Sequence, residues 1–191
     1  MPAVLIVAAT RGELCGHDGL VCGVGPVEAA AATARALAGE PVGAVLHVGV
    51  AGGRGVAVGS LVVGSASVYD DLSARWPVVE RVVPDADLVE AALAALPGAA
   101  LLPVQTSARV GAPYDGAAAE PVVEGMEGFG VLRAASLAGV RGVEVRAISN
   151  ELGEEDRARW AVEDALATLG RALPPLLDAI RRVVEPAPRL G

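Results

Sequence analysis

The chain has 191 residues, of which 53% are apolar, with 24 Gly, 13 Pro, two Trp, two Tyr and one Phe. All 15 cations are arginine, and 23 carboxylates bring the net charge to −8. The apolar fraction excludes a disordered tail, the acidic balance argues against a nucleic-acid partner, and so few aromatics make a poor stacking platform for single strands. The length suits one globular domain, taken as residues 1–191.

The chain opens with the apolar run Ala3–Ala9, read as a strand buried on both faces. No basic segment precedes it, so nothing reads as a secretory signal. Leu20–Val24 is a second short strand, punctuated by Gly25-Pro26, and Val27–Leu37 is an Ala-rich helix. Val42–Val50 is another buried strand, ending in Ala51-Gly52-Gly53. Ser60–Tyr69 is β-rich. Asp87–Leu96 reads as a helix stopped by Pro97-Gly98, and Ala100–Val104 as a strand. Residues 108–120 read as a loop. Pro121–Met126 is a short strand, Gly128–Ala138 a helix and Val143–Ser149 a strand. Glu154–Val184 is mostly helical, with Pro174-Pro175 expected to break it or start a new helix. The tail 186–191 is expected to fray.

No run reaches the roughly 18 to 20 apolar residues that a membrane helix needs. Cys15 and Cys22 are too few for a metal cage and read as free thiols. A cytoplasmic protein is expected. Alternating strands and helices, several strands being apolar throughout, imply an α/β sandwich with a parallel or mixed central sheet. Ligands in such folds gather at the carboxyl ends of strands.

The strand ends carry Thr10, Arg11 and Glu13; Gly25; Gly52, Gly53 and Arg54; Glu124, Met126 and Glu127; and Asn150 and Glu151. Gly23-Val24-Gly25-Pro26-Val27-Glu28 has two glycines of a dinucleotide fingerprint, but Glu28 stands at the third and blocks the close helix–strand approach. Val48-Gly49-Val50-Ala51-Gly52-Gly53 cannot be a P-loop, because the chain has no lysine. What remains is a set of Gly-rich turns that let backbone N–H groups approach a small polar ligand.

Val123-Glu124-Gly125-Met126-Glu127-Gly128, followed by a helix and then by Glu144-Val145-Arg146-Ala147-Ile148-Ser149-Asn150, resembles the signature of the purine nucleoside phosphorylase and nucleosidase superfamily. The opening strand with Thr10-Arg11-Gly12-Glu13, and the turns Gly23-Val24-Gly25 and Gly49-Val50-Ala51-Gly52-Gly53, stand where that superfamily has its own. Arg157 to Trp160 and the following helix resemble the futalosine-hydrolysing branch, related to methylthioadenosine/adenosylhomocysteine nucleosidases. The resemblance implies a three-layer nucleoside phosphorylase-like fold, with a mixed sheet flanked by helices. It further implies N-glycosidic hydrolysis releasing hypoxanthine, a purine nucleoside as small-molecule partner, no cofactor or metal, and a homo-oligomer.

Cleavage of an N-glycosidic bond passes through an oxocarbenium-like centre, as in glycoside hydrolysis. By the resemblance, Glu127 accepts hydrogen bonds from the ribose 2′ and 3′ hydroxyls, and Met126 packs on the sugar. A carboxylate can accept from both hydroxyls and favours positive charge developing on the ring. A Glu is equally suited to the N-terminus of the following helix. Asn150 stands where adenine-cleaving relatives have an Asp that protonates N7. An amide donates N–H to N7 or to a 6-oxygen, which points to a 6-oxopurine. An ordinary Asn turn is the alternative.

Glu13 stands at the position of the water-activating carboxylate, or is a surface Glu in a Gly-flanked loop. Gly25, Gly52, Gly53 and Phe129 are expected at the substrate, Phe129 being as well suited to the core. His47 replaces the phosphate-binding Arg of the phosphorylases, which favours water over phosphate. It reads first as a satisfied core histidine. Arg54 is the remaining cation near that turn. Asp70 and Asp71 match an acidic position of the family or are solvated loop acids. Trp160 either closes the pocket or caps the core.

Overall fold

The computed structural model describes residues 3–39, 41–109 and 120–185. Most of the expected loop across 108–120, and the tail 186–191, lie outside them. In chain order the elements are β1 (Ala3–Ala8), β2 (Leu20–Val21), α1 (Pro26–Leu37), β3 (Val42–Arg54), β4 (Leu61–Tyr69), β5 (Arg81–Val82), α2 (Ala86–Ala95), β6 (Ala100–Thr106), β7 (Val122–Gly125), α3 (Gly128–Leu137), β8 (Arg141–Glu151) and α4 (Val162–Val184). Single tight helical turns occupy Gly12–Leu14 and Arg157–Arg159.

The eight strands form one mixed sheet. β3 runs parallel to β1 on one side and to β8 on the other. β8 continues antiparallel onto β4, β4 runs parallel to β6, and β6 runs parallel to β7. β7 then returns antiparallel onto the end of β3. Five strands therefore close a ring, β3-β8-β4-β6-β7, with β2-β1 and β5 hanging from it.

Helices cover two faces, as a three-layer fold requires. Leu169, Leu173, Leu176 and Ile180 of α4, with Leu88 and Ala92 of α2, pack on Leu46, Val48, Val143 and Val145. Ala29 of α1 and Val131 and Ala135 of α3 pack on Val7 and Val45 from the other side. Each fully buried aliphatic side chain stabilises by roughly 1.5–3 kcal/mol relative to exposure, so these strips set how the layers meet.

Several expectations shift. β3 does not stop at Val50; it runs on to Arg54, because β7 supplies partners to Gly52, Gly53 and Arg54. β2 stops at Val21, since Gly23 and Gly25 take positive φ (83° and 99°) and leave the extended region. The two-residue β5 is too short to leave a period in the sequence. Pro174-Pro175 does not break α4, which continues through both. An interior proline costs about 3 kcal/mol or more. Here both prolines are exposed, while Leu173, Leu176, Leu177 and Ile180 anchor the turns around them in the core.

Candidate active site

A cavity of about 350 Å³ opens where the ends of β1, β3, β7 and β8 converge beneath the start of α4. Glu13, Glu127 and Asn150 all line it, as do Met126 and Gly52.

Glu13 follows β1 on the tight turn Gly12–Leu14 and is buried (6% exposed). Its Oε2 accepts from the Thr10 N–H at 2.9 Å and the Thr10 hydroxyl at 2.8 Å, and its Oε1 accepts from the Val50 N–H at 3.0 Å. Three donors orient the carboxylate at the cavity wall, as a general base must be held. β3 allows this approach only where it lacks a side chain: a Cβ at Gly49 would lie 2.6 Å from Glu13 Oε1 and 2.5 Å from Arg146 Nη1.

Glu127 ends the short connection from β7 to α3 and is likewise buried. Its Oε1 accepts from the Gly25 N–H at 3.1 Å, and its Oε2 lies 3.5 Å from Arg146 Nη2. Burial pushes the Glu127 carboxyl above the ordinary range, while Arg146 and the Gly25 and Met126 N–H groups pull it back. Glu127 stands at the N-cap position of α3, but its side chain makes no capping hydrogen bond there.

Behind Glu127 lies a buried polar network. Arg146 Nε donates to Glu144 Oε1 at 2.8 Å, Nη1 to the Val50 carbonyl at 3.3 Å, and Nη2 to His47 Nε2 at 2.6 Å. The Ser67 hydroxyl donates to the other Glu144 oxygen. His47 Nδ1 donates to the Val7 carbonyl at 3.0 Å, so both ring nitrogens are used by a neutral imidazole. Burial and the neighbouring Arg146 hold the His47 pKa well below its ordinary value. The 4.0 Å approach of His47 to Glu144 is therefore not an ion pair. His47 is the satisfied core histidine. Burial opposes the Arg146 charge, but Glu144, Glu127 and Glu13 outweigh it and strengthen its hold on the proton.

Sequence reading assigned Arg146, Glu144 and Ser67 no role. A signal was available: opposite charges two apart in an otherwise apolar strand share one face and must be paired if buried.

Asn150 lies on β8 and is 7% exposed. Its Oδ1 accepts from the Ser149 hydroxyl at 2.7 Å, and Nδ2 donates to the Glu151 carbonyl at 3.0 Å. These contacts orient the amide and leave its second N–H for the cavity. The side chain is not an ordinary turn residue; it stands in a strand that pairs with β3.

Other expected residues fall elsewhere. Phe129 does not line the cavity: it is buried, stacks on Tyr69 with centroids 5.2 Å apart, and packs with Val82 and Leu132. Gly53 faces Ile148, on the opposite side of β3 from Gly52. Gly25 acts through its N–H on Glu127 rather than at the cavity wall. Arg54 is not among the described residues that line the cavity, nor are Asp70 and Asp71. Asp71 instead accepts from the Ala108 N–H and from Arg109 Nη2. Trp160 does line the cavity, just ahead of α4, with its Nε1–H donating to the Glu154 carbonyl at 2.9 Å. Arg157 lies 5.3 Å over its ring. Glu124 also lines the cavity, its carboxyl pushed up by burial and by Asp70 and Asp71, with Arg109 opposing.

A mixed α/β sheet with carboxylates and an amide around one strand-end cavity is the architecture of a nucleosidase. Consistent with this, the model of the phosphorylase superfamily matches residues 9–185. A futalosine hydrolase of Streptomyces coelicolor is 38% identical over 192 residues, covering 86% of this chain and 81% of that protein. One from Acidothermus cellulolyticus is 37% identical, covering 81% of this chain and 72% of the relative. The chain belongs to the phosphorylase superfamily and, within it, to the futalosine hydrolase family.

Solved structures share the fold. A methylthioadenosine/adenosylhomocysteine nucleosidase of Colwellia psychrerythraea in complex with adenine superposes with a TM-score of 0.80 at 20% identity, covering 94% of this chain and 96% of that one. A futalosine hydrolase mutant of Helicobacter pylori gives 0.82 at 18% identity, covering 93% and 99%.

Among the described residues no helix is long and apolar enough to cross a membrane.

Proposed function

We propose that this protein hydrolyses the N-glycosidic bond of futalosine and releases hypoxanthine. The observation that carries the reading is the convergence of Glu127, Glu13 and the Asn150 amide on one cavity. The C1′–N9 bond breaks and its electron pair leaves with the purine. Positive charge on the ribose is met by Glu127, which accepts from the 2′ and 3′ hydroxyls. Glu13 takes a proton from the water that attacks C1′, help worth typically 10²–10⁴-fold. Asn150 cannot deliver a proton as an Asp can. It donates a hydrogen bond to the departing base, which suits acceptors at N7 and the 6-oxygen. Met126 packs on the ribose.

The same reading takes the chain as one cytoplasmic domain that binds a small nucleoside rather than nucleic acid, and as a homo-oligomer. Exposed Val21, Val24 and Val27 around the start of α1 offer apolar surface for assembly.

Incubation with futalosine, inosine and methylthioadenosine, with and without phosphate, tests the function by chromatography of the products. Hypoxanthine from futalosine without phosphate is the expected result. Product only with phosphate makes it a phosphorylase. Faster release of adenine than of hypoxanthine from matched nucleosides overturns the role of Asn150. Tight nucleoside binding without turnover over hours makes it a silent binding protein.

A further inference from the structure

The closer ion pair of Arg146 is turned away from the cavity. Its Nε reaches Glu144 Oε1 at 2.8 Å, whereas Nη2 stays 3.5 Å from Glu127 Oε2. A guanidinium and a carboxylate free to meet do so at about 2.7–2.9 Å, often through two parallel bonds. Here the fork is spent elsewhere: Nε on Glu144, Nη1 on the Val50 carbonyl and Nη2 on His47. Glu127 faces a cation that it does not grip.

Glu144 is in turn fixed. The Ser67 hydroxyl of β4 donates to its other oxygen. α3 starts directly on it, since a Cβ at Gly128 would overlap both carboxylate oxygens. Glu144 is wholly buried and is not among the described residues that line the cavity. A carboxylate so deep loses its hydration, and an apolar side chain would fill that place in β8 without the cost. Hydrolysis as proposed leaves Glu144 without a task.

We propose that Glu144 is a positioning residue: anchored by Ser67, it holds the Arg146 guanidinium back from Glu127 and keeps the Glu127 lone pairs open to the ribose hydroxyls. This rests on the ribose role of Glu127 given above. Without the Glu144 charge, Arg146 turns to the next carboxylate within reach, and its N–H groups compete with the ribose for the same oxygens. Glu144 also shares the charge of Arg146, so less of it falls on Glu127. The other side chains that face this pair are Glu13 after β1, Cys22 after β2, His47 of β3 and Ser67 of β4. His47 is neutral, and burial pushes the Cys22 thiol up to about 12, so Arg146 is shared among the carboxylates Glu144, Glu127 and Glu13.

The test uses 9-deazainosine, whose carbon–carbon link to ribose resists hydrolysis, and 9-deazahypoxanthine, the same base without ribose. Calorimetry measures both on wild type and on Glu144→Gln, which keeps the shape and an acceptor and removes the charge. Glu144→Gln is expected to weaken 9-deazainosine roughly 10- to 100-fold, the range for lost hydrogen bonds to a charged group, and to leave 9-deazahypoxanthine unmoved. The acid limb of kcat/KM on futalosine should also move down by roughly one pH unit, since the full charge of Arg146 then favours ionised Glu127. Glu144→Asp keeps the charge and should restore most of both. Equal weakening of base and nucleoside marks a merely structural role and overturns the proposal, as does 9-deazainosine affinity within twofold of wild type. Should Glu144→Gln not fold, Ser67→Ala, which removes the anchor of Glu144, is read in the same way. A loss of roughly 2- to 10-fold confined to 9-deazainosine is then expected, and an equal loss for both ligands, or none, overturns the proposal. A wild-type protein that binds both ligands alike refutes the ribose role of Glu127 itself, and is seen without any substitution.

Discussion

The Arg146 guanidinium stands 3.5 Å from the Glu127 carboxylate, and both side chains are almost wholly buried. Neither charge would be tolerated there alone, since an unpaired buried ion loses its hydration without return. Arg146 is shared with Glu144, which binds its Nε at 2.8 Å, so Glu127 holds the looser end of the arrangement. The proposed role asks this carboxylate to offer its remaining lone pairs to the ribose hydroxyls.

Glu127→Gln should therefore lower kcat by more than Glu13→Gln does. Gln keeps one acceptor oxygen but loses both the second ribose contact and the negative charge facing the oxocarbenium-like ring, so two sources of transition-state stabilisation go together. Glu13→Gln removes base help from a site that still binds and polarises the substrate. Steady-state rates on futalosine check the order; near-wild-type rates in both variants would remove the mechanism.

Arg146→Met should act on folding. It leaves Glu144 and Glu127 buried without their cation, and breaking such a pair costs about 3–5 kcal/mol. Adding Glu144→Leu should recover part of the loss, because replacing both partners by apolar groups is often close to neutral. Urea unfolding of the single and double variants measures the coupling. If the losses simply add, the two residues are not energetically paired.

Asn150→Asp tests base recognition. The Ser149 hydroxyl would still reach the new carboxyl, so the geometry survives while the permanent N–H donor is lost. Hypoxanthine release should fall, by up to the roughly 10⁴–10⁵-fold that mismatched hydrogen bonding can impose, and adenine release should rise relative to it. The ratio of bases released from matched nucleosides is the readout.

The layer order, most elements and the three polar residues at the cavity were legible in the sequence, because apolar strands, Ala-rich helix faces and strand-end polar residues are local patterns. Closure of the ring was not. It depends on β7 reaching the far end of β3, a pairing between residues 52–54 and 122–124 that no local period records. Phe129 was left open between substrate and core for a related reason: its neighbour Tyr69 lies on β4, distant in sequence, and decides which way the ring packs. Pro174-Pro175 read as a break because propensity is local, whereas the leucines that hold α4 act through the core.

The pH dependence follows from Glu127. Burial raises its carboxyl above the usual value of about 4.3, more than Arg146 lowers it. If the ionised form is the one that binds ribose, as proposed, kcat/KM should rise from acid pH to a plateau, with a midpoint above that value. His47 cannot supply the limb, being neutral with both nitrogens engaged, so His47→Gln should leave the midpoint in place where it folds. Glu124 is also raised, and Glu124→Gln is the control for its share. Stability runs the other way. With its folded pKa above the unfolded one, Glu127 binds more protons in the folded state across that window, so stability falls as pH rises through it. Glu127→Gln removes this slope. Its urea midpoint should gain on wild type between pH 4 and pH 8, even as its activity is lost, a trade common to buried functional groups. An acid limb at or below 4.3 would mean that Arg146 outweighs burial.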